Sequence, residues 1–306
     1  MTHSASSLLN SRHTIIGAAY AFLAAVGFSG KAVLVKLAYR HGVDAVTLLA
    51  LRMLFSLPFF AAMAIWSARA SGTVALVGRD WRALVFLGLL GYYLSSLLDF
   101  WGLVYITASL ERLILFLYPT MVVILSALFL GRRITGGMAA ALLLSYVGIA
   151  LVFSADVALD QRDIVLGAIL VFASTLTYAV YLIGSGQVIA RIGPARFTGY
   201  ALTVSCLAVV LHFMAANTPA ALFQPLPVYA IALAMAIFST VLPALLLAEG
   251  VRRIGADRTS LIGSIGPVAT LMLAWLFLGE SLSLAQMMGA ALVLAGVLFV
   301  SLKKGG

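Results

Sequence analysis

The sequence predicts an all-α membrane protein of ten transmembrane helices, arranged as two inverted five-helix repeats around a central cavity. The prediction rests on the composition of the chain and on an internal repeat. Of the 306 residues, 63% are hydrophobic and only 9% are charged, whereas soluble domains average about 25% charged residues. So few charges cannot cover a water-facing exterior, and most of the surface is therefore expected to contact lipid.

Apolar stretches long enough to cross a bilayer follow one another along the chain. A spanning helix needs about 20 mostly apolar residues, and such stretches recur from Ile15 to Leu302, separated by charged and turn-forming residues. The polar segment 1–13 is predicted to be a disordered cytoplasmic tail. The predicted helices cover 15–35, 45–66, 82–104, 109–130, 134–154, 164–187, 197–216, 228–250, 258–279 and 283–302.

The charges in the connections predict the orientation. One side of the membrane carries only Lys36, Arg40 and Arg162, with Arg112 just inside a helix end. The positive-inside rule places the basic side in the cytoplasm, so both termini are expected there, in a multi-pass protein of the inner membrane. The basic side carries Arg12, Arg69, Arg79, Arg82, Arg132, Arg133, Arg191, Arg196, Arg252, Arg253, Arg258, Lys303 and Lys304.

An internal repeat divides the chain into two predicted halves, residues 14–155 and residues 156–304. Residues 102–152 align without a gap with residues 250–300. Apolar segments match one another easily by chance, so the shared prolines and glycines are more informative than the shared leucines. The paired positions include Pro119 with Pro267, Gly131 with Gly279, and Gly148 with Gly296.

The two halves are predicted to have opposite orientations. Five helices is an odd number, so the second copy enters the membrane from the face opposite to the first. The charges agree, because Arg132 and Arg133 on the predicted inner side align with Glu280 and Ser281 on the predicted outer side. Inverted repeats are a structural basis for alternating access, with the binding site near the midplane between the repeats.

The repeated segments resemble a known transporter module. The segment from Pro119 to Phe153 contains Leu-Phe-Leu-Gly followed by a Gly/Ala-rich helix, and its copy runs from Gly266 through Glu280 to Gly296. Together they resemble the EamA-type module of the drug/metabolite transporter superfamily, over essentially the whole chain. Arg132 departs from this pattern, since an acidic residue is usual after the glycine. The resemblance implies a ten-helix exporter of small metabolites, in a group that includes exporters of amino acids and of aromatic amino acids.

Polar side chains near mid-membrane are predicted to bind the substrate, because polar groups in lipid are costly and are by default functional candidates. Two sets of three lie at helical spacing on one face each, at residues 92–99 and 174–181. Aromatic walls with hydroxyl groups suit an amphipathic solute, although tyrosines and serines also bridge packed helices. The predicted substrate-binding residues are Tyr92, Ser96, Asp99, Tyr118, Ser174, Tyr178, Tyr181, Ser239 and Ser264.

Charged residues and prolines inside the predicted helices form a second group. Arg52 lies about 10 Å from its helix end, and it is expected to pair with Asp99 or Glu111 or else to dock a substrate carboxylate. Lys31 is close enough to a helix end to extend its ammonium group into the headgroups. Pro119 and Pro267, which the repeat pairs, each remove a backbone hydrogen bond at mid-membrane and so favour a flexible joint in the helix. The predicted gating or ion-pairing residues are Lys31, Arg52, Glu111, Pro119 and Pro267.

Other classes of protein fit the sequence less well. The single cysteine, Cys206, and four scattered histidines show no metal-ligand spacing, so no metal or cofactor is predicted. The net charge of +9 lies in short loops between apolar helices, which argues against a nucleic-acid partner. A membrane enzyme would need clustered catalytic groups, but the acidic residues are dispersed. The chain also lacks a GxxxxGK[ST] loop, so ATP is not expected to drive transport directly.

The predicted function is secondary export of small metabolites by alternating access, most directly of amino acids with hydrophobic or aromatic side chains. The expected partners are a small-molecule substrate and the lipid bilayer. Two alternatives stay open, an exporter of other metabolites or drugs (a cationic drug, a nucleoside or a sugar) and a passive channel-like facilitator. The sequence leaves open the direction of transport, coupling to protons and the oligomeric state.

Overall fold

A computed structural model describes residues 2–69, 75–131, 134–157, 163–254, 259 and 262–303, and this part of the chain contains helices and short connections but no strand. A short 3₁₀ turn, Pro219–Leu222, lies in the connection between the helix that ends at Ala216 and the helix that begins at Leu226. The helices are α1 (Thr2–Tyr39), α2 (Ala45–Arg69), α3 (Gly78–Tyr105), α4a (Ala108–Leu115), α4b (Tyr118–Leu130), α5 (Gly136–Val157), α6 (Ile164–Ile192), α7 (Pro194–Ala216), α8 (Leu226–Ile254), α9 (Gly266–Leu278) and α10 (Leu284–Lys303).

The described helices confirm the predicted all-α membrane class. Eight of them are long and apolar enough to cross a membrane when α4a and α4b are taken together, and α9 and α10 are shorter apolar helices. Large apolar side chains such as Phe129 and Leu143 are exposed on the outside of the bundle, as contact with lipid requires. The count of ten crossings stays a prediction. Several charges behind the predicted orientation lie outside the described residues, namely Arg132, Arg133, Arg162, Arg258 and Lys304.

The two halves run in opposite directions through the bundle. We name its two ends after one residue each. The Gly42 end holds the α1–α2 and α3–α4a connections, and the Asp80 end holds the start of α3 and the end of α6. Helix α1 ends beside Gly42, whereas its repeat counterpart α6 ends where Arg191 forms an ion pair with Asp80. Equivalent helices therefore point to opposite ends, which is the inverted relation predicted from the sequence.

Helix packing follows the same two-fold relation. Helix α1 packs on α8, and its counterpart α6 packs on α3, while α2 pairs with α7 and α5 with α10. Glycines make the equivalent contacts close. A Cβ added to Gly102 of α3 would lie 3.0 Å from the Gly167 carbonyl oxygen of α6, and one added to Gly250 of α8 would lie 3.4 Å from the Gly17 carbonyl oxygen of α1. Such small-residue contacts are typical of membrane helices, where close backbone approach replaces a hydrophobic driving force.

Both halves interrupt equivalent helices at equivalent places. A π-helical turn occupies Leu89–Leu94 in α3 and another occupies Ile237–Val241 in α8. The turn at 116–117 separates α4a from α4b, and the turn at 264–265 precedes α9. Breaks of this kind place irregular backbone inside the membrane, which is tolerated where protein surrounds it.

The continuous helices predicted for 109–130 and 258–279 are therefore corrected. Pro119 and Pro267 lie at the beginning of α4b and α9 rather than inside an unbroken helix. Proline lacks the amide hydrogen that a helix interior requires, but its fixed φ suits the first turn, so the helix restarts at each proline. Part of the segment before α9 (255–258, 260 and 261) lies outside the described residues.

The predicted disordered tail is also corrected. Residues 2–13 continue α1 as a helix. Residues 2–16 contain no proline or glycine, so no helix-breaking residue interrupts the helix there.

Candidate functional site

Four tyrosines from both halves meet at the middle of the bundle. Tyr178 stacks on Tyr181 with ring centroids 5.6 Å apart, and Tyr118 contacts Tyr178 edge-on at 5.7 Å. Tyr92 contacts Tyr181 edge-on at 5.3 Å. We call these four residues the tyrosine cluster. Tyr181 is buried and the other three are half-buried. Their predicted role in substrate binding stays a prediction.

Local structure explains how each helix supplies its ring. Tyr178 and Tyr181 are three residues apart on α6 and so share one face of that helix. Tyr92 lies in the π-helical turn of α3, and Tyr118 is the first residue of α4b. The α3–α6 contact is very close at this level, because a Cβ added to Gly91 would lie 2.3 Å from Cγ of Tyr181. Glycine at position 91 therefore makes room for the Tyr181 ring.

A buried group of charges lies nearer the Gly42 end. The Lys31 Nζ lies 2.5 Å from Oδ2 of Asp99 and 2.9 Å from Oε1 of Glu111. We call these three residues, from α1, α3 and α4a, the Lys31 triad. Asp99 is 3% exposed and Glu111 is fully buried, so each needs a counter-ion to be tolerated there. The expectation that Lys31 reaches the headgroups is wrong, because its ammonium group points inward between the two carboxylates.

Arg52 has different partners from those predicted. Its Nε donates a hydrogen bond to Oγ1 of Thr240 at 3.0 Å, and its guanidinium group lies 5.5 Å from the centroid of the Phe100 ring. Among the described residues it forms no ion pair with Asp99 or Glu111. The physical reason is that Lys31, on the neighbouring helix, already contacts both carboxylates.

Arg112 follows Glu111 of the Lys31 triad on α4a and precedes Tyr118 of the tyrosine cluster by six residues, and sequence reasoning missed it. Its Nη2 lies 3.5 Å from Oγ of Ser29 on α1, and a Cβ added to Gly266 of α9 would lie 2.5 Å from the same nitrogen. The predicted helix began at residue 109, which put Arg112 among the residues of a helix end. The adjacent charges Glu111-Arg112 in an apolar stretch were the signal that could have identified it.

Two of the four predicted serines, Ser174 and Ser239, contact a neighbouring helix. Oγ of Ser174 lies 3.0 Å from Oγ of Ser95 and donates to the Ser95 carbonyl oxygen at 2.8 Å. The α3 serine that contacts α6 is therefore Ser95, and the predicted Ser96 is its half-buried neighbour. Ser239 is buried where α8 meets Gly30 of α1. Ser264 lies in the turn before α9. Ser174 and Ser239 fit the alternative that serines bridge packed helices.

A cavity of about 750 Å³ opens at the Gly42 end. One of the residues lining it, Tyr39, donates a hydrogen bond to the carbonyl oxygen of Phe100, the neighbour of Asp99. The cavity therefore lies on the Gly42 side of the Lys31 triad, whereas the centre of the bundle is occupied by the rings of the tyrosine cluster. Its lining includes Lys36, Tyr39, Arg40, Asp44, Trp101 and Glu280.

An inverted pair of helical halves with a polar and aromatic centre defines a membrane transporter fold. The chain belongs to the EamA-like transporter family, which matches it twice, at residues 15–154 and 165–302. This membership confirms the superfamily inferred from the repeated segments. The protein is thus a multi-pass membrane transporter of small molecules that contacts lipid, and its relatives carry the names of transporters rather than of enzymes.

Individual relatives agree with the family. The chain is 31% identical over 303 residues to the uncharacterized transporter YcbK of Bacillus subtilis (strain 168), covering 96% of each protein. It is 26% identical over 261 residues to an uncharacterized transporter of Archaeoglobus fulgidus, covering 82% of this chain and 92% of the relative. A crystal structure with 19% sequence identity superposes with a TM-score of 0.65 and covers 96% of this chain and 97% of the other. This last likeness concerns the fold alone.

Proposed function

We propose that this protein is a secondary exporter of amino acids with hydrophobic or aromatic side chains, working by alternating access in the inner membrane with both termini in the cytoplasm. The observation that carries the proposal is the tyrosine cluster. Tyr92 and Tyr118 belong to the first half and Tyr178 and Tyr181 to the second, so the rings lie at the interface of the inverted repeats, where alternating-access transporters bind substrate.

The chemistry of the cluster suits this substrate class. Ring faces and edges bury apolar or aromatic side chains, while the phenol hydroxyls supply hydrogen bonds. The charged groups beside the rings suit the ionised backbone groups of an amino acid. The arginine-rich Asp80 end, with Arg79, Arg82 and Arg191, supports a cytoplasmic location for that end.

Alternating access also has a structural basis in the interrupted helices. The π-helical turn of α3 contains Tyr92 and the break before α4b directly precedes Tyr118, so both adjoin the cluster. Their repeat equivalents, the π-helical turn of α8 and the start of α9, pack against α1. Interrupted helices can change direction with little loss of backbone hydrogen bonding, because π turns and helix restarts already depart from the regular ladder. We propose that these four places, with Pro119 and Pro267, are where one half rocks against the other.

The experiment is uptake by proteoliposomes containing the purified protein. Labelled Phe, Leu, Thr and Glu are compared with protein-free vesicles, with and without a pH gradient. Saturable uptake of Phe and Leu but not of Glu supports the proposal. Uptake of a nucleoside, a sugar or a cationic drug, with no uptake of any amino acid, would agree with a transporter but contradict the proposed substrate class.

Variants connect the uptake to the site. Tyr178→Ala and Tyr92→Ala are expected to lower the uptake of Phe, because each removes one wall of the cluster. Tyr229→Phe is the control, since Tyr229 lies near the start of α8 and donates its hydroxyl to the Leu222 carbonyl oxygen, away from the cluster. An equal loss of Phe uptake in all three variants would show that uptake does not depend on the tyrosine cluster.

A further inference from the structure

We infer that Arg112 binds the carboxylate of the substrate, so that this site selects amphipathic carboxylates over amines of the same shape. The inference rests on the proposed transport function and narrows its substrate class. It concerns Arg112, which lies on α4a directly after Glu111 of the Lys31 triad and six residues before Tyr118 of the tyrosine cluster.

The charges at the centre of the described chain do not balance. By formal charge, Lys31, Arg52 and Arg112 contribute three positive charges and Asp99 and Glu111 two negative charges, which leaves one positive charge in excess. Both carboxylates contact Lys31, so the excess falls on the two arginines. An uncompensated charge is costly in a low-dielectric interior, and an anionic group of a ligand would remove that cost.

Arg112 has donors available for such a group. Its Nε is buried and has no hydrogen-bond partner among the described residues, and the contact of its Nη2 with Ser29 is long at 3.5 Å. Nε and one terminal nitrogen form the edge of a guanidinium group that binds a carboxylate through two parallel hydrogen bonds. Arg52 also has a buried nitrogen, Nη1, without a hydrogen-bond partner among the described residues, but its Nε is bonded to Thr240, so its Nε edge is not free for the same two-point contact.

The tyrosine cluster begins one helix break beyond Arg112, because Tyr118 is the first residue of α4b. Tyr118 contacts Tyr178 of α6 edge-on with ring centroids 5.7 Å apart, so rings from both halves meet there. A molecule with a carboxylate at one end and a ring or branched aliphatic group at the other could therefore contact Arg112 and the tyrosines together. An amine of the same shape would meet Arg112 as a like charge, and the two nearby carboxylates already contact Lys31.

Gly266 provides the space that the guanidinium group occupies. A Cβ added to Gly266, the first residue of α9, would lie 2.5 Å from Nη2 of Arg112. The obstructing atom is the end of a flexible side chain, so Gly266→Ala is expected to displace the guanidinium group without disturbing the backbone. Gly263 is a matched control, because a Cβ there would meet nothing within 4 Å.

The test compares three probes that share a phenyl ring: L-phenylalanine, 3-phenylpropionate and 2-phenylethylamine. Binding to the purified full-length protein in detergent is measured by isothermal titration calorimetry, and uptake into proteoliposomes is measured separately. We expect phenylalanine and phenylpropionate to bind about tenfold or more tighter than phenylethylamine, the size of effect that a charge-assisted hydrogen bond gives. Arg112→Gln should remove this preference, and Arg82→Gln, at an exposed position, should leave it unchanged.

Gly266→Ala and Gly263→Ala keep the inference testable if Arg112→Gln does not fold. Gly266→Ala should weaken carboxylate binding severalfold while Gly263→Ala has the wild-type affinity. Equal binding of phenylethylamine and phenylpropionate, no binding of any probe, or a carboxylate preference that survives both Arg112→Gln and Gly266→Ala would overturn the inference. Arg112-dependent binding of phenylpropionate without any uptake of amino acids would uphold it and overturn the proposed export function instead.

Discussion

The ammonium group of Lys31 lies 2.5 Å from Oδ2 of Asp99, although the two residues are 68 positions apart in the sequence. The contact joins α1 to α3, and Glu111 extends it to α4a. Three helices of the first half therefore meet at one largely buried cation. An ion pair of this kind sets which helices are neighbours, because moving any one of them would leave a charge without a partner.

Removal of the shared cation is expected to destabilise the protein strongly. Lys31→Met leaves Asp99 and Glu111 buried without a counter-ion, and breaking a buried ion pair from one side costs about 3–5 kcal/mol. Thermal unfolding in detergent should show a lower transition temperature. The triple variant Lys31→Met/Asp99→Asn/Glu111→Gln should recover most of the loss, because no uncompensated charge remains. A triple variant no more stable than Lys31→Met would show that the charges are not the cause.

Much of the fold could be predicted from the sequence because the bilayer imposes strong constraints. Helix length and apolar composition follow from the thickness of the hydrocarbon region. The pairing of Gly131 with Gly279 was also visible, and both adopt positive φ, 63° and 73°, immediately after their helices. The π-helical turns were not predictable, since they depend on how α3 packs on α6 and α8 on α1, which no local pattern encodes.

The candidate site was only partly predictable for a related reason. Spacing along α6 correctly placed Tyr178 and Tyr181 on one face, because that relation lies within a single helix. Charge partners depend on which helices are adjacent, and depth along separate helices does not determine this. The sequence therefore predicts Asp99 or Glu111 as the partner of Arg52, whereas in the structure both carboxylates contact Lys31.

We expect Glu280 to contribute more to stability than Glu249, although Glu249 forms ion pairs with two arginines. The Glu280 carboxylate accepts hydrogen bonds from the backbone nitrogens of Ala108 and Ser109, at 2.8 and 3.1 Å, and so caps the N-terminus of α4a from the α9–α10 connection. Loss of a helix cap costs about 1–2 kcal/mol, which is the loss we expect for Glu280→Ala in the free energy of unfolding.

The matched variant is Glu249→Ala. Glu249 contacts both Arg252 and Arg253 at the end of α8, but it is partly exposed there, and exposed ion pairs contribute little to stability because water screens them. Denaturant unfolding in detergent micelles compares the two variants. An equal or larger loss for Glu249→Ala would contradict the capping role of Glu280.

The contact between α5 and α10 is expected to tolerate no side chain at Gly148. A Cβ added there would lie 2.6 Å from the carbonyl oxygen of Gly289, so the two helices would have to separate. Overpacking of this kind costs about 1–3 kcal/mol, and Gly148→Ala should lower the transition temperature accordingly. Gly136→Ala, in the same helix where a Cβ meets nothing within 4 Å, should leave it unchanged. Equal transition temperatures for the two variants would mean that α5 and α10 pack less closely than described.

The last prediction concerns Gly91 and the tyrosine cluster. Gly91→Ala places a methyl group against the Tyr181 ring, with Cβ 2.3 Å from Cγ in the unrelaxed structure. The ring must shift away from α3, so we expect a loss of about 1–3 kcal/mol in stability and weaker uptake of Phe. In a Tyr181→Ala background the obstruction is absent, and the same change should be neutral or slightly stabilising because alanine favours a helix more than glycine does.

The double-mutant cycle of Gly91→Ala and Tyr181→Ala therefore measures whether this contact shapes the site. A large coupling energy in both unfolding and Phe uptake would mean that the α3–α6 contact holds the Tyr181 ring in the position that substrate requires. Gly78→Ala is the control for an alanine at the start of α3, because a Cβ there meets nothing within 4 Å. Additive effects of Gly91→Ala and Tyr181→Ala would show that glycine at position 91 serves a purpose other than making room for the ring.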